Sequence, residues 1–338
     1  MLRHTVAGAL RRAEHVADSA WSLAASTIGH LEPTSRPIAV ERGAPPIGAR
    51  AAVFCHFDRK GRLADHTRRY LEALLDAEFA VIFVSNSATL EAEARDWLLR
   101  RCAWVVLRRN SGLDFAAWRD GLAVSGLPDA GTQLLVLAND SVYGPVSPLA
   151  PLLERMRPEH AEVWGMTDSW QQRYHLQSFF LLFTPAALRS SAFEKFWTRV
   201  RDLRSKTAII RQYEVGLTQR MLDAGLRCRA LWPYVDLIAG LQVSDVDDRR
   251  HPGIILRDHV DSCNMELVAR RTPLNPTAEL WRPLFLAGFP FLKRELLRTN
   301  PIGVQDVGSW LDLVRSVSPL DAEIILRDLA RTLRNVAP

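Results

Sequence analysis

Beyond residue 50 the chain alternates two kinds of apolar pattern. AAVFCHF (51–57), FAVIFVS (79–85), AWVVLR (103–108) and QLLVLA (133–138) are short, nearly unbroken hydrophobic runs, which predict buried strands. Between them, LADHTRRYLEALLDA (63–77), LEAEARDWLLRRC (90–102) and DFAAWRDGLAVS (114–125) carry apolar residues at helical spacing. Continuous apolar strands alternating with amphipathic helices predict an α/β fold, a mainly parallel sheet covered on both faces. Ligands of such sheets sit beyond the carboxyl ends of the strands. Asn139-Asp140-Ser141 ends the fourth strand and runs straight into a Tyr-Gly-Pro turn, so it stands where a ligand is expected.

The second half is mixed. VWGMTDS (163–169) and LQSFFLLFT (176–184) predict strands with no long helix between them. Helices are expected around FEKFWTRVRDL (193–203) and YEVGLTQRMLDAGL (213–226), then a short strand, CRALWP (228–233). The tail PLDAEIILRDLARTLRNV (319–336) predicts a helix capping the core. LEPTSRPIAVERGAPPIGA (31–49), rich in proline and glycine, reads as a linker. Before it, Leu2, Val6, Leu10, Val16, Ala20 and Leu23 recur at helical spacing beside Arg3, Arg11 and Arg12. That amphipathic basic helix either lies on an anionic membrane surface or packs on the domain. The expected division is 1–49, N-terminal helix and linker; 50–245, the α/β domain; and 246–338, a helical extension packing on the core.

No window offers the ~18 consecutive apolar residues that a span requires, and the N-terminus lacks the apolar centre of a signal peptide. The formal net charge of +5 favours anionic partners. Nucleic acid is disfavoured, because the basic residues are dispersed and no recognised module appears. The cysteines, Cys55, Cys102, Cys228 and Cys263, form no Cys-x-x-Cys pair and read as reduced thiols in a cytosolic protein.

The turn after the first strand, CHFDRKGR, has one glycine where a dinucleotide fingerprint needs three. No Walker loop and no Gly-x-Ser-x-Gly elbow appears. A carboxylate at a strand end suits another task, holding Mg²⁺ or Mn²⁺ against a diphosphate, with Asp140 as metal ligand and Asn139 and Ser141 as neutral companions. An Asx-type turn is the plainer reading of the same tripeptide. RNSGLDFAAWRDGL (109–122) adds Gly112 for a tight backbone and Asp114 at a helix start, as N-cap or ribose contact. HLQSFFLLF (175–183) puts His175, Gln177 and Ser178 at the start of an apolar strand, and Glu214 opens the predicted helix that carries Arg220. His251 and His259 are further candidates for a metal ligand.

In this order the pieces resemble an inverting glycosyltransferase of the GT-A type. Asn110-Ser111-Gly112 matches its Asn-x-Gly helix start, Asn139-Asp140-Ser141 stands at its acidic metal motif, and Tyr213-Glu214-Val215-Gly216-Leu217 overlays its Glu-Asp-x-Asp-Leu helix. More closely, NSGLDFAAW, LANDSVYGP, WGMTDS, HLQSFFLLF, YEVGL and NPTAELWRPLFLAGFPFLKRELL together resemble the rhamnan synthesis F family of polysaccharide glycosyltransferases, over about residues 50–300.

The resemblance implies transfer of L-rhamnose from dTDP-rhamnose to a lipid-linked glycan (O-antigen, rhamnan or capsule) at the inner face of the cytoplasmic membrane. It places Glu214 as general base with Asp168 in reserve, and Asp140 on metal or diphosphate. Asp58, Asn110, Gly112, Asp114, Asn139, Ser141 and Arg220 would bind the nucleotide-sugar, and His175 and Gln177 either contact the acceptor or hydrogen-bond within the core. FLAGFPFLKRELLR (285–298) is either a core segment or an interfacial patch facing lipid. The alternatives are the same fold with another donor sugar, or a non-catalytic nucleotide-sugar-binding subunit.

Overall fold

The computed structural model describes residues 34–243 and 273–334. The amphipathic N-terminal segment, Cys263, His251 and His259 lie outside the described residues. The strands are β1 (Ala39–Arg42), β2 (Arg50–His56), β3 (Ala80–Ser85), β4 (Trp104–Leu107), β5 (Leu134–Asn139), β6 (Val142–Tyr143), β7 (Val163–Ser169), β8 (His175–Leu176), β9 (Phe180–Phe183), β10 (Cys228–Trp232) and β11 (Leu292–Lys293). The helices used below are α1 (Asp65–Asp76), α2 (Ala92–Arg101), α3 (Leu113–Ser125), α4 (Gly216–Asp223), α5 (Arg294–Arg298), α6 (Trp310–Val317) and α7 (Pro319–Arg334).

The main sheet runs β1-β4-β3-β2-β5-β9-β7-β10, with β8 paired to β7. β4, β3, β2 and β5 are mutually parallel, whereas β9 is antiparallel to both β5 and β7. This is the mainly parallel α/β architecture expected from the sequence, with the mixed half where the pattern lost its long helices. The chain steps outward from β2 to β3 to β4, then crosses back to lay β5 on the other side of β2. The carboxyl ends of β2 and β5 therefore flank the point where the strand order reverses, the usual crevice of an open α/β sheet.

Successive residues of a strand face opposite sides, and here both sides are apolar. Ala52 and Phe54 of β2 join Tyr70 and Leu74 of α1, whereas Val53 and Cys55 join Phe115 and Trp118 of α3. Burying one such large side chain stabilises the fold by about 1.5–3 kcal/mol, and this explains strands without polar alternation. Cys55, Cys102 and Cys228 are buried and unpaired, as expected.

The structure departs from the sequence reading in three places. Within the supposed linker, β1 pairs antiparallel with β4 at the sheet edge. The helix expected to open at residue 213 begins earlier, because Ser205 caps it by accepting from Ala208 N. Lys206–Ile209 leads through a π-helical turn, Ile210–Val215, into α4, so Glu214 sits inside a helix rather than in its first turn. Finally, Phe285, Phe289, Phe291, Leu292 and Leu296 are all buried. The phenylalanines of segment 285–298 are therefore core, and Leu286, 53% exposed, is its one large apolar side chain on the surface.

Phe285, Leu292 and Leu296 join a third apolar cluster, in which Tyr143 and Val146 meet Trp281, Trp310, Val314, Ile325 and Leu329. β6 follows directly from Asn139-Asp140-Ser141 and pairs antiparallel with β11, opposing Leu292 to Tyr143 and Lys293 to Val142. Gly144 makes the approach possible. Its φ is +108°, and a Cβ there would lie 2.4 Å from Pro290 O. The strand end that carries Asp140 is thereby welded to the C-terminal extension.

Candidate active site

Asp140 follows β5 directly. Its N–H donates to Cys55 O at 3.1 Å, and its Oδ2 accepts from Phe57 N at 3.4 Å. The carboxylate thus faces the β2–β5 reversal point. Asn139 is buried and turned inward; its Nδ2 donates to Asp114 Oδ2 at 2.7 Å. Ser141 N and Oγ donate to Asn139 Oδ1 at 3.0 and 2.6 Å. The Asx-type turn is therefore present, and it presents the acid between its two polar neighbours.

Asn139 N donates to Phe179 O at 3.3 Å. The residue before Phe179 is Ser178, whose N and Oγ donate to Glu214 Oε1 at 2.8 and 2.9 Å. One backbone hydrogen bond, with a single residue step on each side, therefore separates the Asp140 strand end from the anchor of Glu214. Glu214 Oε2 makes no hydrogen bond among the described residues. The π turn that carries Glu214 is a rare element, met most often at functional sites.

Asp114 reports the same convergence electrostatically. Burial and then the Asp140 charge push its pKa up to about 6, and the Glu214 charge adds to the rise. Asp114 thus senses both of the other carboxylates. Asp114 is not the helix N-cap, because Gly112, at φ +69°, holds that position and Asp114 falls in the first turn of α3. A Cβ on Gly112 would lie 2.5 Å from Ala116 Cβ and 2.9 Å from Asp202 Cα, so only glycine fits.

The loop before α3 is held from below by Arg108, which is fully buried. Its Nε donates to Asp120 at 2.7 Å, and its Nη1 to Asn86 Oδ1 at 2.7 Å and Ser111 O at 2.8 Å. Asn86 passes the connection to Cys55 Sγ at 3.5 Å. Asn110 is exposed at the lip of this loop.

Other expected site residues are placed differently. Asp58 stands at the end of β2, but Oδ1 accepts from Lys60 N and Arg62 N, and Oδ2 from Arg331 at 3.3 Å. Its carboxylate is committed to that turn rather than open to a ribose. Arg220 lies over the Phe196 ring, 5.3 Å from its centroid, and is affected by Arg199 and Tyr213, none of them at the mouth. Gln177 belongs to a buried network with Thr167, Asn275 and Thr277, and His175 Nδ1 pairs with Arg173 O at 2.8 Å. Both are core hydrogen-bonding groups, so the acceptor contact expected of them has no exposed surface to act through. Asp168 ends β7 as expected, but it is buried, burial pushes its pKa up to about 6, and Oδ1 accepts from Tyr234 N at 2.6 Å.

Two arginines not expected at the donor site contact the acids at the ends of β2 and β5 instead. Arg294 Nη1 donates to Asp140 O at 2.6 Å and to Asp140 Oδ2 at 3.2 Å. Arg331 Nη2 donates to Asp328 Oδ1 at 2.6 Å while its Nη1 meets Asp58. A cavity of about 730 Å³ lined by Arg119, Leu122, Phe193 and Trp197 lies behind α3 and includes neither Asp140 nor Glu214.

Among the described residues no group of three or more His, Cys, Asp or Glu is placed to hold a metal ion. Asp140 offers a single carboxylate, one oxygen of which is shared with Arg294. Magnesium is commonly held by one or two carboxylates, with phosphate oxygens and water completing the shell. The residues therefore suit a cation that arrives with a diphosphate, not one caged by protein alone.

Residues 81–260 match the rhamnan synthesis protein F family. The virulence protein VirA of Vibrio anguillarum is 29% identical over 279 residues, covering 81% of this chain and 88% of that one. Protein y4gN of Sinorhizobium fredii, an uncharacterized protein, is 26% identical over 215 residues, 62% of this chain and 56% of its own. Among solved structures, the galactosyltransferase LgtC in complex with donor and acceptor sugar analogues is 13% identical, with a TM-score of 0.32, covering 79% of this chain and 95% of that one. At that score the likeness carries no argument, and the assignment rests on the family match. The chain belongs to the rhamnan synthesis protein F family and is a glycosyltransferase.

Proposed function

We propose that the protein transfers L-rhamnose from dTDP-rhamnose, with inversion, to a hydroxyl of a lipid-linked glycan at the membrane surface. The observation that carries this reading is that the Asn139–Phe179 hydrogen bond joins the strand end of Asp140 to Ser178, the anchor of Glu214. One carboxylate serves the donor side and the other the acceptor side.

Ser178 fixes Glu214 through Oε1 and leaves Oε2 to take the proton of the acceptor hydroxyl. The acceptor oxygen forms its bond to the anomeric carbon from the face opposite the diphosphate. The bond to the diphosphate oxygen breaks, and its electron pair leaves with the nucleotide. Asp140, Asn139 and Ser141 would orient the diphosphate end, and Asp114, Asn110 and the Gly112 backbone the nucleoside end. A divalent cation bound through Asp140 would supply charge stabilisation for the departing diphosphate. Asp168, buried and bonded to Tyr234 N, is the weaker candidate for base.

No helix among the described residues is long and apolar enough to cross a membrane. Contact with a lipid-linked acceptor would then be peripheral. Incubation with a panel of dTDP- and UDP-sugars and a polyprenyl-linked glycan acceptor, with Mg²⁺, with Mn²⁺ and with EDTA, tests the proposal. A product heavier by one deoxyhexose, formed from dTDP-rhamnose, is expected. Consumption of a different donor would replace the sugar, and failure to bind or consume any donor would remove the catalytic reading.

A further inference from the structure

We infer that Arg294, from the C-terminal extension, is a donor-binding residue whose guanidinium meets the diphosphate of the nucleotide-sugar. The inference rests on the proposed transfer reaction and adds a residue to it.

Pairing of β11 with β6 fixes where Arg294 stands, and its own N–H donates to Ser141 O at 3.0 Å. Its Nη1 is the group that touches Asp140, through both the carbonyl and the carboxylate. Tyr143 also acts on the guanidinium, but the other two nitrogens are less well served. Nε is buried and has no hydrogen-bond acceptor. Nη2 lies 3.7 Å from Asp328 Oδ2, too far for a good hydrogen bond. Buried donors are almost always satisfied, so an orphan beside a functional mouth calls for a ligand or a function.

The surroundings hold the fork in place. Asp328 accepts from Tyr143 OH at 2.8 Å, and the Arg294 guanidinium carbon lies 5.6 Å from the centre of the Tyr143 ring. The side chain is 13% exposed, so the group is braced by protein yet keeps some access to the surface beside Asp140. A planar guanidinium braced in this way loses little freedom when it engages a phosphate, and its geometry matches two phosphate oxygens at once. Asp140 then acts on the donor in two ways, through its own carboxylate and by aiming Arg294. Arg331, which joins Asp58 to Asp328, braces the same cluster from α7.

Calorimetric titration of the full-length protein with dTDP and UDP, in EDTA and in Mg²⁺, tests this, with thymidine and uridine followed by ligand-observed NMR. Arg294→Ala should weaken binding of the preferred nucleoside diphosphate about ten- to hundredfold, the worth of a lost charge-assisted pair. Affinity for the nucleoside should change less than about twofold. Arg294→Lys, which keeps the charge but not the fork, should fall between the two. Wild-type affinity in Arg294→Ala, or an equal loss for nucleoside and diphosphate in both variants, would overturn the inference. Wild-type protein that binds neither diphosphate would instead remove the transferase reading on which it rests.

Discussion

Asp114 illustrates how one residue registers the whole site. It ties Asn139 to Cys55 and feels both Asp140 and Glu214, and burial among them raises its pKa to about 6. In the unfolded chain the same carboxyl loses its proton near pH 4. Between those values the folded state binds more protons, so stability falls as pH rises. Asp114→Asn should therefore gain stability relative to wild type from pH 4 to pH 7, read as a widening difference in Tm; a pH-independent difference would contradict the shift. Glu214 has a kinetic signature. Glu214→Gln keeps the hydrogen bonds from Ser178 and loses the proposed base, so kcat should fall about 10²–10⁴-fold while donor affinity stays within about twofold. Equal loss in kcat and donor affinity would speak for a structural role. At this scale the sequence was informative wherever chemistry follows from local context. A strand running into Asn139-Asp140-Ser141 could be read directly. Arg294 could not, because its partner Asp140 lies 154 residues away in sequence and nothing in LKRELL distinguishes a site arginine from a surface one.

Elements hold these residues through a few buried polar contacts. Arg108 gathers Asp120, Asn86 and Ser111 under the loop that opens α3, and Asp202 closes the group from a neighbouring segment, bonded to Ser111 Oγ at 2.9 Å. Removing one partner of a buried ion pair typically costs about 3–5 kcal/mol. Arg108→Ala should lose that much in denaturant unfolding; a loss below about 1 kcal/mol would mean the group is solvated. Gly144→Ala should cost roughly 2 kcal/mol or more, since it combines a left-handed backbone with a clash against Pro290. Limited proteolysis should then release the C-terminal extension first; an unchanged cleavage pattern would mean the β6–β11 contact is not what holds it. The early strands and helices were legible because local periodicity sets them. The hidden elements depend on distant partners: β1 is a strand because β4 offers an edge, and the π turn at Glu214 interrupts a helix whose cap, Ser205, lies well upstream of the apolar stripe.

Across the molecule, the sheet makes the crevice and the C-terminal extension closes one side of it. β2 and β5 bring Asp58 and Asp140 to the reversal point, α7 and α5 carry Arg331 and Arg294 to those acids, and β9 with the π turn brings Glu214 from the other flank. Donor and acceptor chemistry would then be divided between two carboxylates held by different halves of the fold. The direct test compares Asp140→Asn with Glu214→Gln in one assay that records nucleotide-sugar affinity by calorimetry and product by mass. The expected result is a split: Asp140→Asn weakens donor binding, whereas Glu214→Gln binds donor normally and forms almost no product. Full transfer by either variant, or loss of donor binding by both, would contradict a shared cleft with those two roles.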